Sequence, residues 1–208
     1  MDQLTTARLL EPFLPEPLSP AQLNHISTYI DILLRWNTRI NLTAIRNPEE
    51  IVIRHFGESF FCAQKLAAGH LAPGSSVIDL GSGAGFPGLP IKIFAPEISL
   101  TLIDSKQKKV AFLREVIRSL NLSDATVFPS RAEEFIPSSP NNLVTFRAVE
   151  RFAAILPIAL RSAGPEGSLA LLIGEDQIKS ARELSPGTLW HSPVPIPLSQ
   201  RRVLLTSH

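Results

Sequence analysis

The chain carries one glycine-rich run, Val77-Ile78-Asp79-Leu80-Gly81-Ser82-Gly83-Ala84-Gly85-Phe86-Pro87-Gly88. A short apolar segment with one acid, followed by alternating glycines, predicts a buried parallel strand that continues into a loop and opens a helix. Glycine has no Cβ, so it accepts positive φ angles and lets backbone N–H groups approach a ligand closely. The run therefore predicts a binding site for a nucleotide-like molecule.

Two classes of ligand fit this loop. Gly83, Gly85 and Gly88 satisfy the dinucleotide pattern G-x-G-x-x-G, which is a weak signal by itself. The longer pattern Asp79-x-Gly81-x-Gly83-x-Gly85 at the strand end resembles motif I of the Rossmann-like S-adenosylmethionine methyltransferases. An acid at this place would repel a pyrophosphate, whereas it would attract a cofactor that carries a sulfonium and an amino group.

A second acid follows the next apolar run. Leu100-Thr101-Leu102-Ile103 predicts a strand, and Asp104 comes directly after it, where a carboxylate can bind ribose hydroxyls in either class of cofactor. The alternative is that the glycine run is a plain strand-to-helix turn and that Asp104 caps the following helix. Both interpretations place the chain among α/β proteins.

Composition bounds the class of protein. With 208 residues, 44% of them hydrophobic and 19% charged, the chain can bury one sizeable core. Its net charge of +1 does not indicate nucleic acid, so a basic surface would have to come from local clustering. The single cysteine, Cys62, excludes internal disulfides and a cysteine-rich zinc site. No signal peptide or membrane-length apolar run is present, so we expect a cytoplasmic protein. We also expect a monomer without a metal ion.

The order of the predicted elements indicates a doubly wound parallel sheet behind an N-terminal helical region. Helix starts are predicted at Ser19-Pro20-Ala21-Gln22 and Asn47-Pro48-Glu49-Glu50. We predict a helical region over residues 1–72 and the sheet domain over 73–208. Strands are predicted at Val77–Leu80, Leu100–Ile103, Ala125–Phe128, Leu143–Phe146, Ser168–Ile173 and Val203–Thr206. Further helices are predicted at Leu4–Leu14, Gly88–Phe94, Lys106–Leu120 and Glu150–Ala163. An arm near Leu189–Leu198 is predicted to pair with the last strand.

Several further motifs occur in one collinear order between about Gln22 and Gly174. They are Arg35-Trp36-Asn37-Thr38-Arg39-Ile40-Asn41-Leu42-Thr43, Arg54-His55, Phe86-Pro87-Gly88-Leu89-Pro90, Lys108-Lys109-Val110-Ala111-Phe112-Leu113, Ser130-Arg131-Ala132-Glu133-Glu134 and Arg147-Ala148. Together with the glycine run, this set resembles the RsmG (GidB) family. The resemblance implies a Rossmann-like class I methyltransferase sheet with an N-terminal helical extension. It also implies transfer of a methyl group from S-adenosylmethionine to N7 of one guanosine in 16S ribosomal RNA, with that RNA or the small ribosomal subunit as partner.

The resemblance also implies the cofactor site. Gly81, with Gly83 and Gly85 beside it, and Phe86 would contact the amino-acid and ribose parts of S-adenosylmethionine, and Asp104 can accept both ribose hydroxyls. The remaining cofactor-binding residues that it implies are Ala132 and Glu133 near the adenine and Arg147 at the rim. Two alternatives stay open: Phe86 can be a core residue, and Glu133 can be an acid at a helix start.

Guanine N7 carries an unprotonated lone pair, so its methylation needs no general base. We therefore predict no catalytic acid or base, and we name Arg147 as a candidate for positioning the substrate. Candidate RNA-binding residues are Arg39, Arg54, His55, Lys106, Lys108 and Lys109. The alternatives are an ordinary solvated helix face for the lysines and a structural role for His55.

The sequence departs from the family pattern at two places. Leu172-Ile173-Gly174 stands where a Leu-Lys-Gly element is usual, and Glu58 stands in the Arg54-His55-Phe56-Gly57-Glu58-Ser59 element where an aspartate is usual. These changes leave two alternative functions open: a methyltransferase for another substrate, and a ribosome- or RNA-binding module with reduced activity. A nicotinamide dehydrogenase is a more distant alternative.

Overall fold

A computed structural model describes residues 1–138, 142–148 and 151–208. Seven strands form one sheet in the order β3-β2-β1-β4-β5-β7-β6. Their bounds are β1 Ser76–Leu80, β2 Ser99–Ile103, β3 Ala125–Phe128, β4 Asn142–Arg147, β5 Ser168–Gly174, β6 Val194–Pro195 and β7 Arg202–Thr206. The first five strands are parallel, and β7 pairs antiparallel with both β5 and β6. This architecture confirms the predicted fold class, including the antiparallel arm at the end.

Eight α-helices accompany the sheet in the described part of the chain. Their bounds are α1 Gln3–Leu10, α2 Pro20–Asn37, α3 Pro48–Ile51, α4 Glu58–Leu66, α5 Gly88–Phe94, α6 Gln107–Ser119, α7 Phe152–Ala163 and α8 Gln177–Leu184. A π-helical segment, Val52–Gly57, joins α3 to α4, and short 3-10 turns cover Glu11–Phe13 and Ala132–Glu134. The first four α-helices thus precede the sheet in the chain.

The predicted helix starts are confirmed by their caps. The Ser19 hydroxyl accepts a hydrogen bond from the backbone N–H of Gln22, whose side chain accepts one from the backbone N–H of Ser19, so α2 begins with a complete capping box. The Asn47 side chain likewise accepts from Glu49 and Glu50 at the start of α3. Helix starts could be predicted because a cap depends on neighbouring residues alone.

The sheet separates two hydrophobic clusters. One contains Tyr29 and Phe60 from the N-terminal helices together with Leu89 of α5 and Phe112 of α6. The other contains residues of α7 and α8, among them Leu156. Strand β5 serves both clusters, because alternate side chains of a strand point to opposite faces of a sheet. The N-terminal helices thus share a core with the sheet, and the division at residue 72 stays a prediction.

Some elements differ from the expectation. Helix α8 is not among the predicted elements, because its segment is short and mostly polar, with Ala181 its one fully buried side chain. The predicted first helix stops at Leu10 and continues as a 3-10 turn, because Pro12 cannot donate a backbone hydrogen bond. The predicted start of α7 at Glu150 lies outside the described residues, and the helix is described from Phe152. Among the described residues, none of the helices has the length and apolar character needed to cross a membrane.

Gly85 offers a direct test of how the glycine loop packs. Its φ is +83°, and a Cβ there would lie 2.3 Å from the Tyr29 hydroxyl and 2.5 Å from Leu89 Cδ1. We expect Gly85→Ala to lower the free energy of unfolding by about 2–4 kcal/mol, because the substitution adds both a strained backbone and an overpacked core. Gly187, where a Cβ meets nothing within 4 Å, is the matched control. We expect Gly187→Ala to stay within about 1 kcal/mol of the parent in urea unfolding, and equal effects at the two positions would contradict this description.

Candidate functional site

A cleft of about 520 Å³ lies beyond the carboxyl ends of β1, β2 and β4. Open α/β sheets bind ligands at this edge, where the strand order reverses, and small-molecule sites have volumes of this size. The residues that line it are Gly81, Ile103, Asp104, Ser105, Lys106, Lys109, Ser130, Arg131, Ala132, Glu133, Arg147, Ala148, Arg151 and Ile155. Five of the eight predicted cofactor residues are in this set: Gly81, Asp104, Ala132, Glu133 and Arg147.

Asp104 joins two loops at the floor of the cleft. One carboxylate oxygen accepts a hydrogen bond from the backbone N–H of Gly83 at 2.9 Å, and the other accepts from that of Lys106 at 2.8 Å. The second bond lies before α6, whose N-cap is Lys106 and has no side-chain cap, so Asp104 does not cap this helix. Each carboxylate oxygen can accept more than one hydrogen bond, so Asp104 keeps capacity for ligand hydroxyls. Gly83 therefore supports the cleft through Asp104, although it does not line the cleft itself.

Asp79 lies behind the loop and is fully buried. One of its oxygens accepts from the backbone N–H of Gly88 at 3.3 Å, and its Oδ1 has no hydrogen-bond partner among the described residues. Burial raises the pKa of Asp79 from 3.8 to about 7, while the hydrogen bond from the backbone N–H of Gly88 opposes that rise. Asp79 thus acts on the cleft through the loop, because it is not one of the lining residues.

Phe86 packs against aromatic rings of the N-terminal helices. Its ring is stacked on Tyr29 at a centroid distance of 5.3 Å and on His55 at 4.8 Å, with Phe56 edge-on at 5.2 Å. Only 7% of Phe86 is exposed, and the residue does not line the cleft. The geometry favours the core alternative for Phe86. Gly85 is likewise required for packing against Tyr29, so both residues shape the loop from behind.

His55 belongs to the same packing. Its Nε2 lies 2.8 Å from the Thr43 hydroxyl, and its Nδ1 is buried without a partner among the described residues. The pKa of His55 falls from 6.5 to about 3, first because of burial and then because of the positive charges of Arg147, Arg202 and Arg54. A neutral, stacked imidazole favours the structural role over direct RNA contact, and RNA binding by His55 stays an untested prediction.

Arg147 is the last residue of β4 and enters the cleft from the side of the N-terminal helices. Its Nη2 forms an ion pair with Glu58 Oε2 at 3.1 Å and donates to the backbone carbonyl of Arg54 at 2.7 Å. Glu58 is 1% exposed and also contacts Arg54 and Arg202. Burial lowers the pKa of Arg147 to about 10, and Glu58 opposes that change, so the guanidinium stays charged at neutral pH.

Only part of the predicted set of RNA-binding cations lines the cleft. Arg39, Arg54, Lys106 and Lys108 are exposed, and Lys106 and Lys109 line the cleft. Arg131 and Arg151 also line the cleft, although neither is among the predicted site residues. Arg131 lies within a motif quoted above, whereas no pattern in the sequence marks Arg151.

Ile173 does not face the cleft. It is 2% exposed, lies opposite Val203 across β5 and β7, and packs in the cluster that contains α7. The Ile173 side chain therefore does not alter the set of positively charged residues that line the cleft. Glu58, the other departure, holds three arginines, so its role is to organise charge beside the cleft.

Solved methyltransferase structures share the fold of this chain. Magnesium protoporphyrin IX methyltransferase from Synechocystis PCC 6803, solved with bound S-adenosylmethionine, superposes with a TM-score of 0.64 over 100% of this chain and 97% of that chain, at 15% identity. A SAM-dependent methyltransferase from Aquifex aeolicus gives a TM-score of 0.59 at 17% identity, over 77% of this chain and 93% of that chain. With the cleft at the carboxyl edge of the sheet, the fold is that of the S-adenosylmethionine-dependent methyltransferases.

Sequence similarity then gives the family. The family described as GidB, rRNA small subunit methyltransferase G, matches residues 22–193, so the chain belongs to this family. Ribosomal RNA small subunit methyltransferase G of Roseiflexus castenholzii is 38% identical over 204 residues, which cover 90% of this chain and 83% of that protein. The protein of the same name from Roseiflexus sp. is 45% identical over 73% of this chain and 68% of its own length. For the Alkaliphilus metalliredigens protein, at 46% identity, the match covers 54% of this chain and 46% of that relative.

The buried carboxyl of Asp79 makes a prediction about pH. Between pH 3.8 and about 7 the unfolded chain ionises Asp79 while the folded protein holds it protonated, so this group lowers stability as the pH rises. Relative to the parent, we expect the free energy of unfolding of Asp79→Asn to rise by up to roughly 4 kcal/mol across that pH window. Above the window the difference should stay constant. Urea unfolding at a series of pH values measures the difference, with Asp31→Asn on the exposed face of α2 as control. A difference that does not change with pH would contradict the raised pKa.

Proposed function

We propose that this chain transfers the methyl group of S-adenosylmethionine to N7 of a guanosine in 16S ribosomal RNA. The observation that carries the proposal is the family match over residues 22–193, which includes the glycine loop and every residue that lines the cleft. The site also has the polarity that this cofactor requires. Carboxylates stand near the ends of β2 and β3, and an arginine stands at the end of β4.

The proposed cofactor contacts follow from this polarity. Asp104 accepts the ribose hydroxyls, and Gly81 brings the backbone close to the amino-acid part. Ala132 and Glu133, in the 3-10 turn after β3, lie where the adenine would bind. Gly83, Gly85 and Phe86 act indirectly, because they hold the loop in shape.

The lining residues suit a reaction without proton transfer. The bound cofactor supplies an electrophilic methyl group, and N7 of guanine supplies a lone pair that carries no proton. Neither histidine nor cysteine is among the described residues that line the cleft. The protein's contribution is therefore to align the base and the methyl group and to exclude water, which can be worth roughly 7 kcal/mol or more.

Positively charged side chains at the cleft can attract RNA to it. Lys106, Lys109, Arg131, Arg147 and Arg151 line the cleft against the two acids Asp104 and Glu133. Such an excess of positive charge attracts phosphates and holds RNA while the base is positioned. Lys108, Arg39 and Arg54 lie exposed outside the cleft and extend the proposed RNA surface.

We further propose that the chain works as a monomer in the cytoplasm, where small ribosomal subunits are available to it.

The direct test uses labelled S-adenosylmethionine with small ribosomal subunits, or with naked 16S RNA, that lack the modification. We expect N7-methylguanosine by mass spectrometry of the digested RNA. Asp104→Ala should raise KM for S-adenosylmethionine at least about tenfold, because it removes a charged acceptor and loosens two loops. Asp31→Ala, on the exposed face of α2, should behave as the parent.

Two results would redirect the proposal. Cofactor binding without label in either RNA would favour a methyltransferase for another substrate or an RNA-binding module with little activity. Label on a nucleoside other than N7-methylguanosine would retain the enzyme class and overturn the proposed reaction.

RNA binding is tested separately with Lys108→Gln. Lys108 is exposed and does not line the cleft, so we expect weaker RNA binding and unchanged affinity for S-adenosylmethionine. The slope of log K against log salt should fall by about 1, as expected for one lost phosphate contact. Lys179→Gln on α8, where the lysine pairs with Glu183, is the matched control. An unchanged slope for Lys108→Gln would remove this residue from the RNA surface.

A further inference from the structure

Glu58 is the meeting point of three arginines from three parts of the chain. Its Oε1 lies 3.2 Å from Nε of Arg54, which precedes α4, and its Oε2 lies 3.1 Å from Nη2 of Arg147 at the end of β4. The same Oε2 lies 3.3 Å from Nε of Arg202 at the start of β7. The carboxylate is 1% exposed, so removing it would leave the buried guanidinium of Arg147 without its charged partner.

This cluster has more positive than negative charge. One carboxylate faces three guanidinium groups, and the Arg147 side chain is 7% exposed. The Nη1 of Arg147 is buried and has no hydrogen-bond partner among the described residues. An unpaired, buried guanidinium nitrogen is costly unless a ligand completes it, and a guanidinium binds carboxylates and phosphates best.

Contacts with Glu58 and with the backbone of Arg54 fix the orientation of the Arg147 side chain. Its Nη2 is held between Glu58 Oε2 and the backbone carbonyl of Arg54, at 3.1 and 2.7 Å. Because a guanidinium is planar and its five N–H groups form a rigid fork, fixing Nη2 also fixes the direction of Nη1. Glu58 therefore determines where Arg147 presents its free donors, although Glu58 does not itself line the cleft.

The two ends of the cleft suit different ligand groups. Asp104 and Glu133, which follow β2 and β3, would repel an anion and accept hydroxyl and amino groups, whereas Arg147, at the end of β4 on the other side of β1, would attract an anion. S-adenosylmethionine carries one carboxylate, on its amino-acid part. We propose that Glu58 is a positioning residue that holds Arg147 so that its guanidinium binds this carboxylate. The inference rests on the proposed function only in that the ligand is S-adenosylmethionine.

The test compares two ligands that differ in one group. Isothermal titration measures the affinity for S-adenosylmethionine and for decarboxylated S-adenosylmethionine, which keeps the adenosine, the sulfonium and the amine. We expect the parent to bind the first at least about tenfold more tightly, as one charged hydrogen bond can give. Glu58→Gln, similar in shape but uncharged, should lose most of this preference through weaker binding of S-adenosylmethionine, with the affinity for the decarboxylated analogue unchanged.

Two further variants test the proposal even if Glu58→Gln fails to fold. Arg147→Lys should lose the preference as well, because a lysine paired with Glu58 has no second nitrogen for the ligand. Glu58→Asp keeps the charge and should bind S-adenosylmethionine within about threefold of the parent. Glu183→Gln is the matched control, since this glutamate forms an exposed ion pair with Lys179 on α8.

Four outcomes would overturn the inference. Glu58→Gln could lose affinity for both ligands equally, as a purely structural role predicts, or bind S-adenosylmethionine more tightly, which would make Glu58 a competitor for the arginine. Glu58→Gln could also keep the parent's preference for S-adenosylmethionine unchanged. The fourth outcome is a loss of affinity in Glu58→Asp as large as that in Glu58→Gln. Failure of the parent to bind S-adenosylmethionine at all would instead contradict the proposed function. Because titration needs no RNA, it separates the two failures.

Discussion

The stacking of Phe86 between Tyr29 and His55 is the contact on which the site depends. The glycine loop has little capacity to fix its own shape, because three alternating glycines at positive φ have no side chains to pack. The aromatic rings supply that fixation from the N-terminal helices, and the Tyr29 hydroxyl donates to the backbone carbonyl of Ala84 in the same loop. On the far side, the backbone N–H of Ser82 donates to the carbonyl of Ile103 at the end of β2. The loop is thereby held on two sides.

The same helices also organise the charge beside the cleft. His55 lies in the π-helical segment immediately before Glu58, so one stretch of chain supplies both an aromatic contact to Phe86 and the carboxylate that holds Arg147. π-Helical segments are rare and are often found at functional sites. The N-terminal helices are thus part of the site, although they contribute none of the residues that line the cleft.

Much of this fold could be predicted because its determinants are local. The strands follow from apolar runs, and α2 and α3 begin where their caps predict. The cleft residues that follow strand ends, Gly81, Asp104 and Arg147, could be predicted for the same reason. The roles of Phe86 and His55 could not, because a ring beside a glycine loop can face the ligand or the core, and long-range packing against Tyr29 decides between them. Arg202 joins the Glu58 cluster from a distant strand, which no spacing in the sequence indicates.

In the proposed reaction the methyl group reaches one particular atom, N7 of guanosine. Methylation there gives the base a positive charge, so mild reduction followed by aniline cleaves the RNA chain at the modified nucleotide. The most direct measurement is this cleavage on 16S RNA from small subunits treated with the protein and S-adenosylmethionine. We predict a single new cleavage site that requires both the protein and the cofactor. Methylated RNA that resists cleavage, or cleavage at many guanosines, would contradict the claim that the cleft aligns one N7 with the methyl group.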